Sequence, residues 1–233
     1  MIAVFVNTIA VIAGSLIGIL FRSRLKETLR NAVMKALGLC TLLIGISSAI
    51  ATRELLCVIL SMVLGTVLGE LLRIDDGLEH AGDFIKGRVL RGASENSRFT
   101  DGFVSSCILF CIGSMTIMGS LEAGIRHNYS IIYAKSLLDF MSSMAFGAAM
   151  GIGVTCSALF VLVFQGGLTL LAGLIGPALN EAAVTEMSAV GGVILIGMGL
   201  NLLDLPKERI RVSNMLPAIY LPLLYFPIVS LFS

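Results

Sequence analysis

The chain has 233 residues, of which 57% are hydrophobic and 13% charged, with a mean hydropathy of +0.97 and a net charge of +1. Soluble domains are roughly half apolar and a quarter charged, so composition excludes a water-soluble fold and points to an all-α polytopic membrane protein whose first partner is the lipid bilayer. A near-neutral balance also removes the basic footprint that a nucleic-acid partner would demand.

A spanning helix needs about 20 apolar residues to cross roughly 30 Å of hydrocarbon. In chain order six segments meet that standard: Ile2 to Phe21, Ala32 to Ala51, Leu55 to Leu72, Phe103 to Leu121, Met187 to Leu203 and Val212 to Phe232. No basic region precedes the first, so it reads as a retained helix rather than a cleaved leader. Between the third and fourth, residues 73–101 mix basic and acidic side chains without an apolar period, which predicts a solvated cytoplasmic connector. Cys40, Cys57, Cys107, Cys111 and Cys156 all lie inside apolar runs, as helix packing rather than a disulfide framework would place them.

The run from Phe140 to Asn180 contains no charged residue. As one helix it would reach about 60 Å, twice the bilayer core. Basic residues concentrate in short cytoplasmic loops. With two crossings in this run, 13 Lys and Arg fall on the inside and 3 outside, whereas one crossing gives 10 and 6. Two crossings therefore follow, making about eight transmembrane helices with both termini outside. The break falls near "GIGVT", where Gly151 and Gly153 permit a tight turn, and the fifth helix must start early enough to include "IIYAKSLLD".

Glycine patterns recur along the chain. "GSLIG" (Gly14 to Gly18) in the first helix matches "GAAMG" (Gly147 to Gly151) in the fifth, and "GLCTLLIG" in the second matches "GGLTLLAG", which includes Gly166 and Gly167, in the sixth. The offsets of 133 and 128 residues predict a single membrane domain of two parallel four-helix repeats, 1–121 and 131–233, joined by a connector over 122–130. Small residues at this spacing also let helix backbones approach closely.

The ordered segments "ILFCIGSMTIMGSLEAGI", "KSLLD", "FQGGLTLL" and "TEMSAVGG", with the early Asn7 and "GSLIG", resemble the YqgA/YdfK family, known as domain of unknown function 554. The resemblance covers essentially the whole chain. It implies an integral protein of the bacterial cytoplasmic membrane with a transport role, and it supplies no catalytic residues.

Function must then come from polar groups in or beside the hydrocarbon, where ionisable residues are costly and face the bundle interior or water. Glu122, Lys135, Asp139, Glu181 and Glu186 map to the outer side or outer helix turns and would together form an acidic vestibule. Asp139 is the foremost candidate, because a carboxylate one turn from Lys135 can exchange its internal partner for a proton, a cation or a substrate amine. Deeper lie Thr41, Thr169 and Gln165; the glycines beside Gln165 suggest a helix break there. Pro217 and Pro222 should bend or break the last helix. Cys107, Cys111, Met115 and Met118 form a sulfur stripe whose ordinary reading is packing. No enzyme motif, metal-ligand set or cofactor signature occurs. The expected function is secondary transport of a small solute or ion; the alternatives are an ion channel formed by a homo-oligomer and a membrane scaffold or lipid-interacting protein.

Overall fold

The computed structural model describes residues 1–22, 26–89, 99–175 and 181–230. All regular structure among them is helical: α1 (Ile2–Arg22), α2 (Glu27–Ala49), α3 (Leu55–Leu72), α4 (Ile74–Val89), α5 (Phe99–Cys111), α6 (Ser114–Ile125), α7 (Ser130–Met150), α8 (Ile152–Ile175), α9 (Glu181–Leu202), a 3-10 segment (Val212–Tyr220) and α10 (Pro222–Ser230). By length and apolarity α1, α2, α3, α8 and α9 can each cross a membrane, and the pair α5–α6 forms a sixth candidate bent by 58°. Such a set makes the protein polytopic. α7 also has spanning length, 21 residues, but its serines together with Lys135 and Asp139 lower its hydropathy.

Glycines decide which helices touch. A methyl group on Gly14 would collide with Phe140 O and Ser143 Oγ, one on Gly18 with the backbones of Met144 and Ala148, and one on Gly147 with Ser15. Ascending positions face ascending positions, so α1 and α7 run side by side in the same direction. On α2, a Cβ at Gly38 would sit 3.3 Å from Gly199 O and one at Gly45 2.8 Å from Gly192 O, which makes α2 and α9 antiparallel. Gly65 and Gly69 of α3 meet Ala218 and Asn214 of the 3-10 segment, also antiparallel. α8 lies against α1, α5 and α6. In lipid there is no hydrophobic drive between helices, so these close backbone approaches and their dispersion contacts hold the bundle. The outward faces carry Leu39, Leu43, Leu71, Leu138 and Leu170, which suits them to acyl chains.

Two glycines with positive φ divide the long apolar stretches. Gly151, at φ +88, ends α7 and lets α8 begin at once, as the turn at "GIGVT" requires, and the Arg22 side chain fills the space beside it. Gly113, at φ +132, splits the fourth segment into α5 and α6. The sulfur stripe is split with it, so Cys107 and Cys111 stand on α5 while Met115 and Met118 stand on α6.

Three expectations need correction. α8 is continuous through Gln165, Gly166 and Gly167. A glycine costs a helix only about 1 kcal/mol against alanine, whereas each backbone group left unpaired in hydrocarbon costs several. The final segment is broken outright rather than bent: Pro217 lies within 3-10 geometry and Pro222 opens α10. Of the expected connector over 73–101, residues 90–98 lie outside the described residues, and the rest is not merely solvated, because α4 turns Ile74, Leu78 and Ile85 at helical spacing toward its neighbours. Only three apolar positions carry that stripe, too few to stand out among the surrounding charges. Asp75 N–H donates to Asn214 Oδ1 at 2.7 Å, and Thr100 Oγ1 donates to Asp83 at 2.8 Å, fastening α4 to the 3-10 segment and α5.

Candidate functional site

Packing of α1 on α7 in parallel register places Asn7 beside Asp139, and α8 closes the third side with Gln165. Asp139 Oδ2 accepts hydrogen bonds from Lys135 Nζ and from Asn7 Nδ2, the latter at 3.0 Å. Asn7 Nδ2 spends its second proton on Gln165 Oε1 at 2.9 Å. Lys135 and Asp139 share one helix face, four residues apart, with side chains only 7% and 10% exposed; Asn7 and Gln165 are fully buried. Four polar side chains from three apolar helices thus form one chain of hydrogen bonds.

This cluster is not fully satisfied. Among the described residues Asn7 Oδ1 and Gln165 Nε2 have no hydrogen-bond partner. Two carboxamides meeting edge to edge can make two bonds; here one is made, and an acceptor on α1 and a donor on α8 remain unused. A buried polar group left in that condition costs about 1–3 kcal/mol, which favours anything that can supply the missing partners.

The position of the cluster corrects the sequence reading. Asp139 is the tenth of the 21 residues of α7, midway along the helix rather than at its outer end. Because α7 starts at Ser130, even Lys135 stands more than one turn inside. The expected acidic vestibule is not assembled either. Glu122 pairs with Arg126 at 2.8 Å at the end of α6, as a surface ion pair. Glu181 is exposed at the start of α9. Glu186 is buried, and its carboxylate accepts Thr52 Oγ1 at 2.5 Å, Arg53 N–H at 2.8 Å and Glu54 N–H at 3.2 Å. It caps the start of α3, whose own N-cap residue, Glu54, makes no side-chain capping bond.

Thr41 and Thr169 each donate back to the carbonyl four residues earlier, Leu37 and Gln165, at 2.8 Å. Both hydroxyls are consumed inside their own helices. Gly14, Gly18 and Gly147 serve as contact points, while Gly167 faces open space and Gly166 meets only Met1 and Val4 at 3.5 Å or more. The two members of the second glycine motif therefore differ in surroundings, since Gly38 and Gly45 are pressed against α9. Among the described residues no group of His, Cys, Asp and Glu could hold a metal ion.

Asn7 escaped the candidate list although its signal was present: it is the sole side-chain amide in a 21-residue apolar helix. Ser15 and Thr155, whose hydroxyls bond at 2.9 Å between α1 and α8, carried no such signal.

A cavity of about 620 Å³ opens at the end of the bundle where α2 and α5 begin and α7 and α9 finish. Lys35, Asp204, Lys207 and the Arg209–Asp101 pair, the latter at 2.9 Å, give it a mixed charge, while Ile108, Met150 and Met198 form its inner wall. Arg209 also reaches Glu79 of α4 at 3.4 Å, so the loop after α9 and α4 stand at the same end of the bundle.

The model of the family described as "Protein of unknown function (DUF554)" matches residues 2–227. Among curated proteins, the uncharacterized protein YqgA of Escherichia coli is 32% identical over 219 residues, covering 93% of this chain and 92% of that protein. The uncharacterized membrane protein YdfK of Bacillus subtilis is 28% identical over 222 residues, covering 93% and 91%. No solved structure matches.

Proposed function

Since the chain belongs to the domain of unknown function 554 family, which includes a relative named as a membrane protein, we propose that it is a secondary transporter of a small solute or ion across the bacterial cytoplasmic membrane. The observation that carries this reading is the buried Lys135–Asp139 pair midway along α7, joined to Asn7 and Gln165 with hydrogen-bonding capacity unused. Ionisable residues inside a membrane bundle are expensive and mark pathways. Lys135 acts as a resident cation: a proton, metal cation or substrate amine arriving at Asp139 displaces its ammonium, and departure of that cargo restores the pair. α5–α6 and the 3-10 segment with α10 supply the discontinuous helices typical of such sites. In this reading the chain crosses the membrane eight times, with both termini outside and the 620 Å³ cavity facing the cytoplasm. No enzymatic step is assigned to it.

Proteoliposomes loaded with a panel of ions and metabolites test the reading, with wild type, Asp139→Asn and Lys135→Met compared for flux. Asp139→Asn should abolish transport or its ion dependence, and Lys135→Met should alter coupling. Accumulation against a gradient separates a transporter from an oligomeric pore. Flux equal to wild type in both folded variants would remove the cluster from the mechanism.

A further inference from the structure

A second cavity, of about 370 Å³, lies away from the charged cluster between α4, α5, α6, α8 and the 3-10 segment. Its wall is built from aliphatic and aromatic side chains together with two thiols and one phenol, among them Cys107, Ile112, Phe160, Phe164, Pro217 and Tyr220. Water gains nothing there, because a stable buried water needs 2–4 polar partners. Apolar walls of this kind take up apolar guests, as an engineered apolar cavity of roughly 150 Å³ stays dry and takes up benzene. Its lining suits hydrocarbon. Its rim includes the half-buried Phe160, Phe164 and Leu216 and the exposed Tyr220, so the space communicates with the outside of the bundle. Around helices of this apolarity the surrounding medium is lipid tails.

The geometry points to this cavity as a binding site for one acyl chain of a bilayer phospholipid. Two helix discontinuities border it. Ile112 and Ile117 flank the α5–α6 break at Gly113, and Pro217 to Tyr220 run up to the break before α10. A chain seated here therefore fills the space into which the broken segments would otherwise collapse.

The sequence contains no tryptophan, so a single introduced indole is a clean reporter. Phe160→Trp places it on the cavity wall, with Phe164→Trp as a second reporter should the first disturb folding. Leu159→Trp, at an adjacent and 61% exposed position on α8, places it toward the surrounding lipid or detergent. Each folded variant is titrated in detergent micelles with phosphatidylethanolamine carrying dibrominated acyl chains, which quench indole on contact. The cavity reporters should reach half-maximal quenching at a lipid-to-protein ratio at least fivefold lower than the Leu159→Trp variant, and unbrominated phosphatidylethanolamine should reverse it. Cavity and surface reporters titrating in parallel, or cavity reporters that never quench, would overturn the assignment.

Discussion

Asp139 accepts from two donors at one oxygen, and those two donors determine how it behaves. Removing one member of a buried ion pair leaves the other charge uncompensated, at a cost of about 3–5 kcal/mol, whereas replacing both by apolar groups of similar volume is often neutral or stabilising. An exposed pair would contribute no more than about 1 kcal/mol; with both side chains buried, that limit does not apply. Lys135→Met should therefore lower the thermal midpoint of the purified protein clearly, and Lys135→Met combined with Asp139→Leu should recover most of the loss while remaining inactive in flux assays. A double variant as unstable as the single would show that the pair contributes packing rather than charge balance. Glu186 illustrates the opposite case: three donors from one turn surround its carboxylate, so its burial is explained by capping α3 and calls for no cargo.

For the helices, the decisive quantity is how closely two backbones approach. Gly18 of α1 and Gly167 of α8 look alike in sequence, each glycine in an apolar helix. A methyl at Gly18 collides with Met144 and Ala148, while at Gly167 nothing lies within 4 Å. Gly18→Ala should cost about 1–3 kcal/mol through forced backbone displacement, and it should also weaken flux by drawing Asn7 away from Asp139. Gly167→Ala should be neutral or stabilising by up to about 1 kcal/mol, because alanine is the better helix former. Melting temperatures of the two variants in the same detergent check both signs. Equal effects would mean that α1 does not lie on α7 in this register. The breaks follow the same local logic: Gly113 and Gly151 hold positive φ, and Pro222 has no N–H to give, so the chain changes direction where its own backbone chemistry permits.

At the scale of the molecule, topology is the testable property. The ion pairs of Arg209 with Glu79 and Asp101 hold the loop after α9 and α4 at one end of the bundle, as an even number of crossings between them requires. On a background without native cysteines, Glu208→Cys and His80→Cys should both be shielded from an impermeant thiol reagent in intact cells, and Glu181→Cys should react. Labelling at position 208 but not at 80 would restore a single crossing between Phe140 and Glu181. Membrane class, helical architecture, the turn at Gly151 and the pairing of Lys135 with Asp139 on one helix face were all legible in the sequence, because hydrophobic length, charge placement and glycine act locally or through composition. Residues such as Asn7, and the partners of α2 and α3, were not, because side chains 132 and 158 positions apart become neighbours only when helices dock. The proposed repeat also shows the difference: "GSLIG" packs directly against "GAAMG", yet "GLCTLLIG" packs on α9 through its glycines while its sequence match in α8 meets Gly124 of α6 through Thr169 and Ala172. Sequence similarity between two helices says which surfaces are smooth enough to approach. Which of them meet is settled by the simultaneous packing of all the helices, and it was that packing, not the chain order, that brought a lysine, an aspartate and two amides together inside an apolar bundle.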